Sequence, residues 1–216
     1  MTDSPVRREI CYRCMRPKVV CYCEFITELE TRTRVLLLQH PRERDVGIGT
    51  ARIAKLSLPN SELRVGVDFS EDPVVKKAVT ENAYLLFPSK TAIDLHEVNQ
   101  DKPITLVVVD GTWWQARKLW RRNPMIAALP HVRFTPNAPS NYRIRREPAD
   151  HCVATIEALA HVLGTLEGDP ERFQTMLTPF HKMVEKQLEY ARTQKGTEVR
   201  HAAARQKRAL LALRKA

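Results

Sequence analysis

At 216 residues, 43% hydrophobic and 28% charged, the chain is long enough for one well-cored domain plus a small appendage and has ordinary globular composition. No apolar run approaches the length of a membrane span, and the opening MTDSPVRREI lacks the apolar core of a signal peptide, so a cytoplasmic protein with no membrane partner is expected. The formal net charge of +10 and pI near 9.6 point to a polyanionic partner, nucleic acid first and an anionic membrane surface a distant second.

Four of the five cysteines crowd the start of the chain. Cys11 and Cys14 form a C-x-x-C, and after six further residues Cys21 and Cys23 form a C-x-C. In a reducing compartment that pattern suggests four thiolates around one tetrahedral metal, most simply zinc, with Arg13, Arg16 and Lys18 offsetting their charge. Redox-active or incidental cysteines are the alternative. A four-cysteine site leaves no open coordination position, so its role would be structural.

Arg34 to Gln39 (RVLLLQ) reads as a first strand, followed at its carboxyl end by His40-Pro41-Arg42-Glu43. Thr50 to Leu58 reads as a helix carrying Ile53, Ala54 and Leu56 on its apolar side. A strand at Leu63 to Val67, a helix at Pro73 to Thr80, a strand at Ala83 to Phe87 and the loop Pro88-Ser89-Lys90 follow. Strands alternating with helices predict an α/β architecture.

The central stretch is ITLVVVDGTWWQAR, from Ile104 to Arg117. Its continuous β-branched run predicts a strand buried on both faces, hence the middle of a mostly parallel sheet flanked by helices. The loop leaving such a strand is where ligands bind, and here it offers a carboxylate, a glycine, a hydroxyl and an indole. Helix capping and core filling would explain some of these residues. They do not explain Trp113 and Trp114 together, since neighbours on a helix point about 100° apart. The helix they open carries Arg117, Lys118, Arg121 and Arg122 and ends near Asn123-Pro124.

A short strand at Val132 to Thr135 precedes the arginine-rich loop Asn137 to Asp150, NAPSNYRIRREPAD. Its guanidinium groups want carboxylate, phosphate or aromatic partners. A helix from Cys152 to Leu163 follows, with Val153, Ile156, Leu159, Ala160 and Leu163 at helical spacing. From Phe173 onward the chain reads as helical, with a stripe of Leu177, Phe180, Met183, Val184, Leu188 and Ala191, a break at Gly196 and a basic amphipathic end. Residues 182–216 hold ten Lys/Arg against three Glu, a net +7 of the +10. A solvated helical surface, RNA contact and membrane contact all suit such a tail.

The ordered motifs HPRE (His40 to Glu43), D-x-T-W (Asp110 to Trp113), YRIRREP (Tyr142 to Pro148) and T-I-E-A (Thr155 to Ala158), preceded by the four cysteines, resemble the DTW-domain family over about residues 11–165. The resemblance implies a SPOUT-like fold with a C-terminal knot. It also implies a tRNA-uridine aminocarboxypropyltransferase, which moves the 3-amino-3-carboxypropyl group of S-adenosylmethionine onto N3 of a uridine and leaves methylthioadenosine. The expected organisation is a zinc knuckle over 1–30, a catalytic domain over 31–170 and a basic helical extension over 171–216. The oligomeric state is left open.

In folds of that kind the donor lies in the bend of the knot, held largely by backbone groups. The corresponding residues here are Phe87, Pro88 and Ser89, then Gly111, Thr112 and Trp113, then Tyr142, Arg145 and Glu147, with Arg145 suited to the methionine carboxylate. Asp110 is the candidate base for the uridine N3 proton. His40, Arg42, Trp114, Arg117, Arg143 and Arg146 are candidates for contact with the tRNA, an aromatic ring stacking on the extruded base. Rival readings are a SPOUT-type RNA methyltransferase using the same donor and a zinc-containing RNA-binding module without catalysis.

Overall fold

The computed structural model describes residues 9–136, 140, 141 and 153–193. Six parallel strands form one sheet in the order β4-β3-β7-β5-β8-β6. They are β3 (Arg34–Gln39), β4 (Ser61–Val65), β5 (Ala83–Leu86), β6 (Ile93–Asp94), β7 (Thr105–Asp110) and β8 (His131–Arg133). A two-stranded antiparallel ladder, β1 (Ile10–Cys11) with β2 (Arg16–Pro17), belongs to the cysteine segment.

The apolar runs of β3 and β7 have no polar alternation because both faces of the sheet are covered. Val35, Leu37, Leu106 and Val108 enter one buried cluster, while Leu36, Leu38 and Val107 enter another. The first is closed by α1 (Ala51–Ser57), α5 (Thr155–Leu166), α6 (Pro170–Gln174) and α7 (Leu177–Thr193); the second by α2 (Pro73–Thr80), α3 (Trp113–Arg122) and α4 (Pro124–Ala127). The α/β architecture read from the sequence is the one observed.

Boundaries differ where local chemistry decides. The helix expected from Cys152 begins at Thr155, where the Glu157 carboxylate accepts from the Ala154 backbone N–H at 2.7 Å. It runs to Leu166 and stops before Gly168, whose φ of +72° suits a residue without a side chain. Gly164 in the same helix lets α6 approach closely, since a Cβ there would lie 2.9 Å from the Pro170 Cα. The two-residue β6 carries no sequence signal of its own.

The cysteine segment is built into the first cluster: Cys14 and Tyr22 are fully buried there together with Phe180, Met183 and Val184 of α7. Lys186 of α7 donates to the Cys21 carbonyl at 2.6 Å, and its ammonium lies 5.3 Å from the Phe25 ring centroid.

The sheet order places the site. From β3 the chain steps outward to β4, then crosses back to β5, and β7 later enters between β3 and β5. Open parallel sheets bind ligands beyond the carboxyl ends of the strands where such a reversal occurs, here β3, β7 and β5. Gln39 pairs with Asp110 in register, so the loops after β3 and β7 rise side by side.

Candidate functional site

Asp110 closes β7 and is buried to 7% exposure. Its Oδ2 accepts from Gln39 Nε2 at 2.9 Å and its Oδ1 from Thr155 Oγ1 at 2.6 Å, which fixes the carboxylate between β3 and the first turn of α5. The backbone adds a third tie, His40 N–H to the Asp110 carbonyl at 2.9 Å. A carboxylate offers about four lone-pair directions, so these two side-chain donors leave it able to accept again.

Gly111 is closely packed: a Cβ would meet Gln115 Cβ and Oε1 at 3.1 Å and His40 Cβ at 3.5 Å. Thr112 caps α3, its hydroxyl accepting from Gln115 N–H while Gln115 Oε1 accepts from the Thr112 N–H at 2.6 Å. The Thr112 backbone is likewise committed to the helix, its carbonyl accepting from the Ala116 N–H at 2.8 Å.

His40 is buried after β3, and its Nδ1 accepts from the Arg42 backbone N–H at 3.2 Å. Burial pushes its pKa below the ordinary histidine value, helped by the charges of Arg42 and Lys118. The neutral imidazole therefore carries its proton on Nε2 and acts as a donor. Glu43 is buried in the same turn, while Arg42 is exposed.

Phe87, at the end of β5, is stacked on Trp120 with centroids 5.9 Å apart and planes 8° apart, and meets the rings of Trp113 and His131 edgewise. Ser89 lies 2.7 Å from His131 Nδ1, and His131 Nε2 lies 3.2 Å from the Ala127 carbonyl. Because a carbonyl only accepts, the proton sits on Nε2 and Ser89 donates to Nδ1. Pro88 is exposed beside them.

On the outer side of α3, Trp114 is 66% exposed with the Lys118 ammonium 5.6 Å from its ring centroid, and Trp113 is 39% exposed. Arg117, Lys118, Arg121 and Arg122 are exposed on this helix, which has no acidic residue. Arg122 pairs with Asp68 at 3.3 Å.

These loops bring together Asp110, Gly111, Thr112, Trp113, His40, Arg42, Phe87, Pro88 and Ser89, with Trp114 and Arg117 on the adjoining face. Tyr142, Arg143, Arg145, Arg146 and Glu147, the knot bend expected there and the basic tail past Thr193 lie outside the described residues. The described ends of that arginine-rich loop are tied to one carboxylate: Glu157 accepts from Ser140 Oγ at 2.6 Å, Asn141 N–H at 2.8 Å and Ala154 N–H at 2.7 Å. Gln39, His131 and Trp120 were not singled out by sequence. A polar residue ending the apolar run RVLLLQ was a usable signal for Gln39; the other two carried none.

The four sulfur atoms of Cys11, Cys14, Cys21 and Cys23 lie within 4.8 Å of one another and could hold a metal ion. Backbone N–H groups of Cys14 and Arg13 bring the Cys11 thiol down to about 6, whereas burial first, and then neighbouring thiols, push the Cys23 thiol up. A cation among the sulfurs is what would let all four be thiolates. Of the three nearby cations, Arg13 pairs with Glu28 and Lys18 with Glu9 at the surface, and only Arg16 is buried.

The family model for the DTW domain matches residues 8–188. The chain is 33% identical over 196 residues to a Drosophila melanogaster protein named tRNA-uridine aminocarboxypropyltransferase 2, covering 87% of this chain and 78% of that protein. A Macaca fascicularis protein of the same name is 31% identical, covering 85% of this chain and 65% of the relative. An Arabidopsis thaliana protein named tRNA-uridine aminocarboxypropyltransferase A is 24% identical, covering 89% and 86%. No solved structure matches the chain. Among the described residues no helix is long and apolar enough to cross a membrane.

Proposed function

Because this chain belongs to the DTW-domain family, we propose that it is a tRNA-uridine aminocarboxypropyltransferase, as its relatives are named. It takes the 3-amino-3-carboxypropyl group of S-adenosylmethionine to N3 of a tRNA uridine and releases methylthioadenosine. The observation that carries this reading is the similarity to those relatives over 85–89% of the chain. The site at the carboxyl ends of β3, β7 and β5 supplies the chemistry it needs.

Uridine N3 is a poor nucleophile while it holds its proton. Asp110, with an acceptor direction to spare, takes that proton as the N3–carbon bond forms at the methionine γ-carbon. The carbon–sulfur bond breaks and its electron pair stays on sulfur, which is why methylthioadenosine leaves. The sulfonium is already activated, so no metal enters the reaction. Choice between the γ-carbon and the methyl carbon is one of positioning. The loops at Phe87 to Ser89 and Gly111 to Trp113 hold the donor, joined by Tyr142, Arg145 and Glu147.

The outer face of α3 suits the tRNA: cations for phosphate, and Trp114 for a base taken out of its stack. Arg42 and the neutral His40 border it, with Arg143 and Arg146 assigned to the same substrate. Zinc is the metal assigned to the four cysteines. Bonds of about 2.3 Å place the sulfurs of a tetrahedral site about 3.8 Å apart, against 3.7 Å for Cys11–Cys23 and for Cys14–Cys21. Reduced thiolates of this kind agree with a cytoplasmic setting.

The small-molecule product tests the reading. Incubation with S-adenosylmethionine and unmodified tRNA yields methylthioadenosine, dependent on the tRNA. S-adenosylhomocysteine in its place would make the protein a methyltransferase, and neither product, with tRNA bound, a binding protein.

A further inference from the structure

Arg16 belongs to the cysteine segment but does not serve only that segment. Its Nη2 donates to the Val46 carbonyl at 2.7 Å, thirty residues away in sequence, and its Nη1 passes 3.5 Å from where a Gly47 Cβ would stand. Val46 lies in the loop between β3 and α1, the loop that begins with His40 and Arg42. The same loop carries turns of its own backbone, Val46 N–H to Glu43 O at 3.2 Å and Gly49 N–H to Val46 O at 3.0 Å, and Ile48 packs against the first buried cluster.

The guanidinium is buried, and no carboxylate among the described residues pairs with it. Neither its Nε nor the fully buried Tyr22 hydroxyl has a hydrogen-bond partner. A buried cation needs a counter-charge. The adjacent one is the cysteine cluster: Arg16 is the ladder partner of Cys11 and follows Cys14 by two residues. A divalent metal with four thiolates is formally dianionic.

The register that delivers Arg16 also needs a staple. Met15, just before it, sits at φ 58°, a left-handed conformation unfavourable for a residue with a side chain. The ladder it feeds has two residues a side, too few to persist alone.

We propose that Arg16 is a positioning residue that couples the metal-loaded cysteine knuckle to the active-site loop, so that the metal sets the place of residues 40–50. The link to catalysis rests on the proposed function; the mechanical coupling does not.

Amide hydrogen exchange on the full chain tests it. With zinc bound at one per chain, Arg16→Ala raises exchange at residues 44–50 roughly tenfold, as loss of a charged hydrogen bond implies. The strand amides of β3 and β7 stay protected. Arg16→Lys, which keeps the charge but not the fork, recovers most of the protection. If Arg16→Ala does not fold, the zinc-free unaltered chain carries the test. Chelating zinc from the unaltered chain loosens 44–50 along with 11–23. In turnover, Arg16→Ala raises KM for tRNA roughly fivefold while kcat changes less than about twofold. Wild-type exchange at 44–50 in the zinc-loaded Arg16→Ala protein, or after complete loss of zinc, overturns the coupling. Raised exchange in a protein that transfers nothing would leave the coupling standing and remove the proposed function.

Discussion

Asp110 is held by two donors from distant parts of the chain, Gln39 and Thr155, and this decides what its substitution should do. In Asp110→Asn the amide oxygen can still accept from Gln39, and the Thr155 hydroxyl can turn to accept from the new NH2 group. The fold should therefore survive with a stability change near 1 kcal/mol. Removal of the base should lower kcat by about 10²–10⁴. Full turnover in a well-folded Asp110→Asn protein would rule out that role. Burial holds His40 and His161 below the ordinary histidine pKa, so the folded state prefers them neutral. The unfolded chain then binds protons first on acidification. Stability is complete above the unfolded value near 6.5 and is lost as pH falls toward the folded values, by up to about 1.4 kcal/mol per pH unit for each histidine. Urea unfolding at pH 7.5 and 5.5 should show this loss, and His40→Asn should show less of it. At this scale Asp110 was legible because it ends an apolar run. Thr155 stood out as part of T-I-E-A, but its pairing and that of Gln39 with Asp110 were not legible, since the two lie 45 and 71 residues away and only α5 and the sheet register bring them together.

Among the elements, α3 joins the Asp110 loop to an exposed basic face. Its buried side, Gln115, Ala116 and Leu119, fixes it to the sheet, while its outer side offers only indoles and cations. Trp114→Ala should leave stability within about 0.5 kcal/mol, because that ring is 66% exposed. It should weaken tRNA binding by roughly 1–3 kcal/mol, as loss of a stacked base does, without changing affinity for S-adenosylmethionine. Unchanged tRNA affinity in filter binding would place the stacking elsewhere. Neutralising Arg117, Lys118 or Arg121 should each reduce the slope of log K against log salt by about 1. The sequence announced this helix through its threonine cap, its two adjacent tryptophans and the Asn123-Pro124 stop. Pattern served less well at α5, whose apolar spacing reaches back to Val153 although the helix begins at Thr155. Periodicity reports the buried face, and a capping contact such as Glu157 to Ala154 reports the end.

Across the whole molecule, the cysteine knuckle, the sheet and α7 share one buried cluster, in which Cys14 and Tyr22 lie with Phe180 and Met183. Metal in the knuckle should therefore stabilise more than the knuckle. Chelation should lower the thermal midpoint of the full chain by at least about 5 °C, with metal analysis returning one zinc per chain. A midpoint indifferent to chelation would separate the knuckle from the fold. Spacing alone made the four cysteines readable as one site. The sharing of a core across 160 residues of sequence was not readable, because it depends on how α7 folds back against residues 18–25. Alternating strands and helices gave the parallel sheet, but the order β4-β3-β7-β5-β8-β6, which sets β3 and β5 on either side of Asp110's strand, follows from the crossovers and not from any one segment.

The proposed reaction changes one base of a tRNA, and mass spectrometry of nucleosides reads it directly. Unmodified tRNA incubated with the full chain and S-adenosylmethionine, then digested, should yield a uridine heavier by the aminocarboxypropyl group, with Asp110→Asn giving far less. A methylated nucleoside, or unaltered uridine under conditions where the protein binds the tRNA, would contradict it.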